Sequence, residues 1–568
     1  MLLEWFKKSA PALRIADEKE VNRRYGRYRW EQAASMTLGY AIFYVCRLSF
    51  SATKKSLIDG GWYSATEIGW VGSAMLFAYA FGKISHGFLA DRANIRRYMA
   101  FGLFVSALMN FIIGWYIPAI LLVVVWFVNG FAQACGATCS IVGISRWYRK
   151  RERGTFYGIF SMSNNFGEAL AYILTSIVMV YAAKWFDVEP VQNLFSYLGT
   201  WFVSTPPTVD GHYGNGAAWR SGFWGAAFLG ILGVMLLSKF FRDSPESEGL
   251  PSVPEWAHEP PDAVEKAAAG DVKRGQMLAL RNWAIWMIAI GGGLFAMTRY
   301  AIIDWGMFFL QVKKGYAGTT AATIISINSI VGGFSSAASG YITDKFFHGK
   351  RDGFVFIAGL MNITALSIFM FGPAGCLWLD VFAMVLFGLA VGILLTFLGG
   401  LMAVDLAPRI ATGAALGIAG MGSYIGAGIS SLFSGYLIKP IAKTAQMLPD
   451  GSYLLENGSQ IVSTAAGKVA DGTGWLLSDG TTIAQEVIEK GAKVLSDGSL
   501  LLKSGKLIDA SGNVVNRFYD FTVSLGGQTF TVDWIAVFWI GAAILSMLCA
   551  LSVWNARPKD KEEPATAA

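Results

Sequence analysis

Charge is scarce in this chain: Lys, Arg, Asp and Glu together make up 15% of its 568 residues, against 54% hydrophobic residues. With a mean hydropathy of +0.45, that balance excludes a soluble multidomain protein, and the length suffices for about a dozen membrane spans with their loops. Cysteine is sparse as well. Cys46, Cys135, Cys139, Cys376 and Cys549 are scattered through apolar stretches at no spacing that suits a metal or a disulfide framework, so they read as packing residues. No cluster of metal ligands and no nucleophile beside a base appears in the spans, which argues against an integral-membrane enzyme and calls for no cofactor. The first thirty residues lack the apolar core and the small-residue cleavage site of a signal peptide. Lys7, Lys8, Arg14, Lys19, Arg23, Arg24, Arg27 and Arg29 make them a basic cytoplasmic tail. The net charge of +7 is accounted for by basic loops beside anionic lipid, with no nucleic acid as partner.

What is present is a series of apolar stretches. They predict an all-α integral membrane protein with spans near 31–53, 67–90, 98–116, 119–145, 154–183 and 219–241, then 283–310, 319–342, 354–372, 377–404, 412–438 and 534–556. These are twelve helices in two sixes. The organisation expected is a tail 1–30, a first half 31–241 with an outer loop 184–218, and a polar linker 242–282 that serves as hinge or tether. A second half, 283–556, and a tail 557–568 complete it. Basic residues fix the orientation. Arg92, Arg96 and Arg97 follow span two; Arg146, Arg149, Lys150, Arg151 and Arg153 follow span four; Lys345, Lys350 and Arg351 follow span eight. Both termini are therefore expected in the cytoplasm. Lys54 and Lys55, at the outer end of span one, either draw anions to an external mouth or snorkel.

Two arginines lie inside the spans, Arg47 and Arg299. An arginine there costs about 3 kcal/mol on insertion scales, so it should face a cavity or a partner. Its planar fork suits phosphate and carboxylate. One in each half points to a central site for a doubly charged anion. The null alternative is a packing arginine satisfied by carbonyls, Asp304 or Glu168. Tyr40 and Tyr44 share a helix face with Arg47. Lys83 either lines the same pocket or pairs with Glu168, and Asp304, five residues past Arg299, is as well explained by structure as by function.

The halves repeat one another. Arg47 precedes Asp91 by 44 residues and Arg299 precedes Asp344 by 45, while Gly154 and Gly167 recur as Gly413 and Gly426 at a constant offset of 259. Six-helix halves of this kind place a site between them near the midplane, open to one side at a time. Asp91, Arg92, Asp344 and Lys345 read as latches between helices.

A second insertion, 440–533, is expected to form a small β-rich extracytoplasmic domain of short strands. Its turn signals are Pro449-Asp450-Gly451, Asn457-Gly458, Ser478-Asp479-Gly480, Ser496-Asp497-Gly498, Ser504-Gly505 and Ser511-Gly512-Asn513.

The Asp91-Arg92 and Asp344-Lys345 loops resemble the signature loop of the major facilitator superfamily. Gly39-Tyr40 through Arg47, Tyr79-Ala80-Phe81-Gly82-Lys83, Arg153-Gly154-Thr155, Asp243-Ser244-Pro245-Glu246-Ser247-Glu248-Gly249-Leu250, Arg299 through Trp305 and Ala407-Pro408 resemble the organophosphate:phosphate antiporter family. The resemblance covers the chain outside its two outer insertions. It implies a bacterial inner-membrane carrier exchanging an organophosphate for inorganic phosphate, and a self-contained twelve-helix carrier, which needs no partner to enclose its path, is expected to be a monomer. In it Arg47 and Arg299 hold the phosphoryl group, and Lys83, Tyr40, Tyr44, Tyr79, Asn164 and Tyr424 complete the pocket. Three positions depart from the family. Leu48 stands for a usual lysine, Asn328 for an acidic residue and Asn164 for a histidine, so the usual ion pair between the halves is lost and Asp304 is left partnerless or paired differently. A sensor of external sugar phosphate signalling to a kinase is the alternative, and proton-coupled uptake of another anion a further one. The ester itself, whether a monosaccharide phosphate, glycerol phosphate or phosphoglycerate, is left open.

Overall fold

The computed structural model describes residues 6–115, 117–186, 218–257, 277–346, 352–398, 402–406 and 412–440, short strands between 446 and 515, and 514–525 and 528–553. Twelve long helices follow one another: α1 Glu18–Asp59, α2 Ala65–Arg92, α3 Ile95–Ile113, α4 Ala119–Trp147, α5 Lys150–Phe186, α6 Trp219–Phe240, α7 Trp283–Val312, α8 Gly318–Phe346, α9 Asp352–Phe371, α10 Leu377–Thr396, α11 Thr412–Tyr436 and α12 Trp534–Ser552. Polar residues in the connecting loops start them. Asp17, Asn94 and Asn282 cap α1, α3 and α7, and Ser64 forms a reciprocal capping box with Glu67 at α2. Ten of the described helices are long and apolar enough to cross a membrane.

Several boundaries differ from the expected spans, and two of them bear on the site. α1 begins at Glu18 rather than near 31, because Glu20 pairs with Arg23 and Arg24 and Glu31 with Arg27 along its exposed first turns. α7 runs on to Val312 through a π-helical turn, Ile302–Gly306, which widens the helix by one residue and turns Asp304 and Trp305 into the protein.

Packing repeats between the halves. α1 packs on α5 and α7 on α11; α2 on α4 and α8 on α10; α3 on α6 and α9 on α12. One pair of the glycines that repeat in the sequence, Gly167 and Gly426, sits at equivalent seams. A Cβ on Gly167 would press into Ala41 and Tyr44 of α1, and one on Gly426 would overlap the Gly293 carbonyl of α7.

The halves meet through α2 against α11 and α5 against α8. Ser73 Oγ donates to the Gly428 carbonyl at 2.8 Å, Trp70 Nε1 to the Tyr436 hydroxyl at 2.9 Å, and Ser326 Oγ to the Ala169 carbonyl at 3.3 Å. All lie toward the end of the bundle that carries the strands.

At the other end the linker holds the tail. Asp243, buried, accepts from Arg146 Nη1 at 2.5 Å and from the Ser9 amide at 2.9 Å, while Arg242 pairs with Glu31 and Glu248. Trp256, in the short helix Val253–Ala257, stacks on Tyr25 with centroids 4.2 Å apart. The stretch 242–257 of the linker is thus clamped to α1 and α4.

Between α11 and α12 the strands form four antiparallel sheets. β1 Gln446–Met447, β2 Tyr453–Leu454 and β3 Gln460–Ile461 make one, and β4 Gly474–Leu476 with β5 Thr482–Ala484 a second. β6 Lys493–Val494, β7 Leu500–Leu501, β8 Leu507–Ile508 and β9 Val514–Val515 make a third, and β10 Asp520–Leu525 with β11 Gln528–Asp533 the last. Each of the six turn signals falls between two paired strands. The longest hairpin pairs β10 with β11 up to Leu525 and Gln528, at a place for which no turn signal was expected. Phe518 roots this region on α7, its ring 5.6 Å from that of Phe309.

Candidate functional site

Arg47 and Arg299 project from α1 and α7, the equivalent helices of the two halves, and both are buried. Arg47 is positioned from three sides. Its Nε donates to Gln133 Oε1 on α4 at 2.8 Å, and its guanidinium lies 4.6 Å from the Tyr44 ring centroid and 4.5 Å from that of Tyr79. Gln133 is itself fixed, donating to Ser106 Oγ at 2.8 Å and Asn129 Oδ1 at 3.3 Å. Among the described residues Arg47 Nη2 has no hydrogen-bond partner although it is buried. A buried guanidinium nitrogen without such a partner is a donor that an anion could use.

Arg299 is differently placed. Its Nη2 donates to Glu168 Oε2 on α5 at 3.3 Å, and Glu168 Oε1 accepts from Ser329 Oγ on α8 at 2.6 Å. The carboxylate is thus held between the halves by one charged and one neutral donor. Asn164, one turn before Glu168 on the same face of α5, keeps a buried Oδ1 without a hydrogen-bond partner among the described residues.

Tyrosines line the rest. The hydroxyls of Tyr40 and Tyr79 are 2.9 Å apart, the rings of Tyr79 and Tyr424 4.8 Å, and Lys83 Nζ lies 4.9 Å from the Tyr424 centroid. Tyr300 is buried against Tyr424 and Leu76. The structure therefore gathers Arg47, Tyr40, Tyr44, Tyr79, Tyr424 and Lys83 into one neighbourhood around the α1–α2–α11 contact. Lys83 faces the Tyr424 ring, not Glu168.

Asp304 is reached from the other half of the chain. Ser51 Oγ on α1 donates to its Oδ1 at 3.0 Å, while Oδ2 is buried without a hydrogen-bond partner among the described residues. Lys54, expected at an exposed helix end, is instead fully buried, because α1 continues to Asp59. Its Nζ sits 4.1 Å from the Trp305 centroid and has no hydrogen-bond partner among the described residues. Lys55 does reach the helix end, pairing with Asp59 at 2.6 Å. With Leu48 in the core and Asn328 Nδ2 bonded to the Ile325 carbonyl, Asp304 is served by Ser51 and by the field of Lys54. The side chains of Asp91, Arg92, Asp344 and Lys345 lie outside those the structure describes.

Gln133, Ser329, Ser51 and Lys54 were not expected in this network. Gln133 and Ser329 carry only a weak signal, that of a polar side chain inside an apolar span.

Among known proteins, a family model described as Major Facilitator Superfamily matches residues 36–431. The chain is 29% identical over 441 residues to "Membrane sensor protein UhpC" of Salmonella typhimurium, covering 76% of this chain and 90% of the relative. It is 28% identical to the "Glycerol-3-phosphate transporter" of Bacillus subtilis, over 74% and 88%, and 27% identical to a "Probable hexose phosphate transport protein" of Chlamydia trachomatis, over 76% and 88%. The family resemblance carried by the motifs agrees with these relatives. In fold, the chain is similar to a solved bacterial homologue of the human lysosomal transporter Spinster, with a TM-score of 0.56, 19% identity, and coverage of 72% and 82%.

Proposed function

Because the chain belongs to the Major Facilitator Superfamily, we propose that it is a carrier that exchanges an organophosphate for inorganic phosphate by alternating access. The observation that carries this reading is the buried pair Arg47 and Arg299, one from each half, with Arg47 Nη2 lacking a hydrogen-bond partner among the described residues. Two guanidiniums facing a common space repel until a phosphate dianion joins them. Binding then lets the halves rock about the anion, while the empty carrier reorients slowly, which yields exchange without a covalent step. The strand-bearing end, where Ser51 meets Asp304 and Ser73 meets Gly428, is the outer gate, closed in this arrangement. Both termini then lie in the cytoplasm of a bacterial inner membrane, and the bundle acts as a monomer.

Uptake of labelled phosphate by proteoliposomes loaded with unlabelled phosphate tests this directly. Rapid exchange competed by phosphate esters supports the carrier; absence of exchange in functional, ester-binding protein overturns it. A receptor reading draws on one specific observation, the similarity to a protein named a membrane sensor. It predicts ester binding without flux.

A further inference from the structure

We propose that Glu168 selects the organic end of the ester, admitting a phosphate whose remaining groups are neutral hydrogen-bond donors, a polyol phosphate, and rejecting one that bears a carboxylate. The proposal rests on the phosphate-binding reading of Arg47 and Arg299 given above.

The two arginines are not equivalent. Arg47 presents an unpartnered Nη2, oriented by neutral Gln133 and by the faces of Tyr44 and Tyr79. Arg299 is already in contact with a carboxylate. A site meant only to hold a dianion gains nothing from a buried acid beside one of its cations, since the acid cancels part of the attraction. Glu168 is nonetheless kept there, 1% exposed, by Arg299 from α7 and Ser329 from α8.

Its chemistry follows from what faces it. Besides Arg299 and Ser329, the titratable groups among the described residues that sense Glu168 include Arg47, Tyr44 and Tyr172. None of them is an acid that ordinarily carries charge at neutral pH. The carboxylate is therefore an acceptor with lone pairs beyond the two donors it has. A phosphoryl group taken by Arg47 and one edge of Arg299 leaves the ester's remainder toward α5, where Glu168 and, one turn away, the unpartnered Asn164 Oδ1 both accept. Hydroxyls satisfy two such acceptors. A second anionic group meets like charge, and in a desolvated site that contact is costly.

The test uses full-length protein in proteoliposomes exchanging phosphate, with glucose 6-phosphate, glycerol 3-phosphate and 3-phosphoglycerate as competitors. It compares wild type, Glu168→Gln and Ser329→Ala. The readout is the ratio of half-inhibiting concentrations for 3-phosphoglycerate and glucose 6-phosphate, which divides out any general loss of turnover. Wild type is expected to favour the two polyol phosphates by roughly tenfold or more, the size of one screened like-charge contact. Glu168→Gln should bring the ratio toward one, and Ser329→Ala, which releases one oxygen of Glu168, should move it part of the way. Should a variant lose flux altogether, the same ratio is read from ligand-induced shifts in melting temperature of purified protein. A wild type that prefers 3-phosphoglycerate, or a ratio unchanged in Glu168→Gln, overturns the proposal. A wild type that neither binds nor exchanges any phosphate compound instead defeats the underlying phosphate-site reading.

Discussion

Arg517, just past β9, donates through Nη1 to Asp59 at the last turn of α1, 2.6 Å away, and both side chains are largely shielded from solvent. One belongs to the strand-bearing insertion of the second half, the other to the first helix of the chain. They tie the halves together beyond the Ser51 to Asp304 contact. Removing one partner of a buried pair costs about 3 kcal/mol or more. In Arg517→Ala that cost falls on the arrangement closed at this end. Cysteines at positions 70 and 436, where the Trp70 and Tyr436 side chains now touch, should crosslink less completely in the Arg517→Ala background than without it.

Arg47→Lys and Arg299→Lys keep a charge but lose the fork that can meet two phosphate oxygens at once. Each should reduce phosphate exchange by about a hundredfold, the scale of a lost charged hydrogen bond of roughly 3 kcal/mol. Initial rates in proteoliposomes decide it. Exchange near the wild-type rate in either variant would falsify the assignment of both residues.

Gln133 has a separate signature. In Gln133→Leu the Arg47 guanidinium loses its anchor on α4 but keeps its charge, so apparent phosphate affinity should fall about tenfold. Gln133→Glu places an anion 2.8 Å from Arg47 Nε, in the position of the present amide oxygen. It should be the more damaging substitution, a ranking that competition assays report.

Lys54 and Asp304 form a pair without direct contact. Their coupling is visible in a double-mutant cycle of Lys54→Met and Asp304→Asn, read from thermal midpoints in detergent. Each single change leaves a lone buried charge and should destabilise the protein. The double variant should recover at least about 1 kcal/mol relative to the sum of the two. Strict additivity would show that the two charges do not sense each other.

At the base of β10, Asp520 accepts from Lys439 Nζ at 3.1 Å and from Asn516 Nδ2 at 3.1 Å. Partial burial raises its pKa, but the hydrogen bonds from Lys439 and Asn516 outweigh this and hold the carboxyl below its usual value. A carboxyl lowered in the folded state stabilises above its unfolded pKa, near 4, and that contribution is lost as pH falls through the lowered folded value. The difference in melting midpoint between wild type and Asp520→Asn should be full at neutral pH and close on acidification below about pH 4.

The features legible in the sequence are those written in local pattern. Apolar length marked the spans, and the repeat of Arg47 and Gly167 as Arg299 and Gly426 marked the two halves. Asp-Gly and Asn-Gly pairs marked the turns of the sheets. What escaped were relations between distant residues. Whether Arg299 meets Glu168 or Asp304 depends on the π turn at Ile302–Gly306, which redirects Asp304 toward Ser51 and which no periodicity announces. Lys54 was misplaced because hydropathy ends span one where the helix continues for another turn and a half. Gln133 is one neutral amide in an apolar helix, and only its distance to Arg47 gives it meaning.

The two glycine seams bear on how the protein is made. Gly167 meets Ala41 and Gly426 meets Gly293, so each seam closes between the first and fifth helices of its own half. During synthesis α1 must wait in the bilayer until α5 arrives, and α7 until α11. Neither half needs the other to complete its seam. A chain severed between α6 and α7 would leave each fragment with its own seam intact, and the assembled pair would be joined where α2 meets α11 and α5 meets α8.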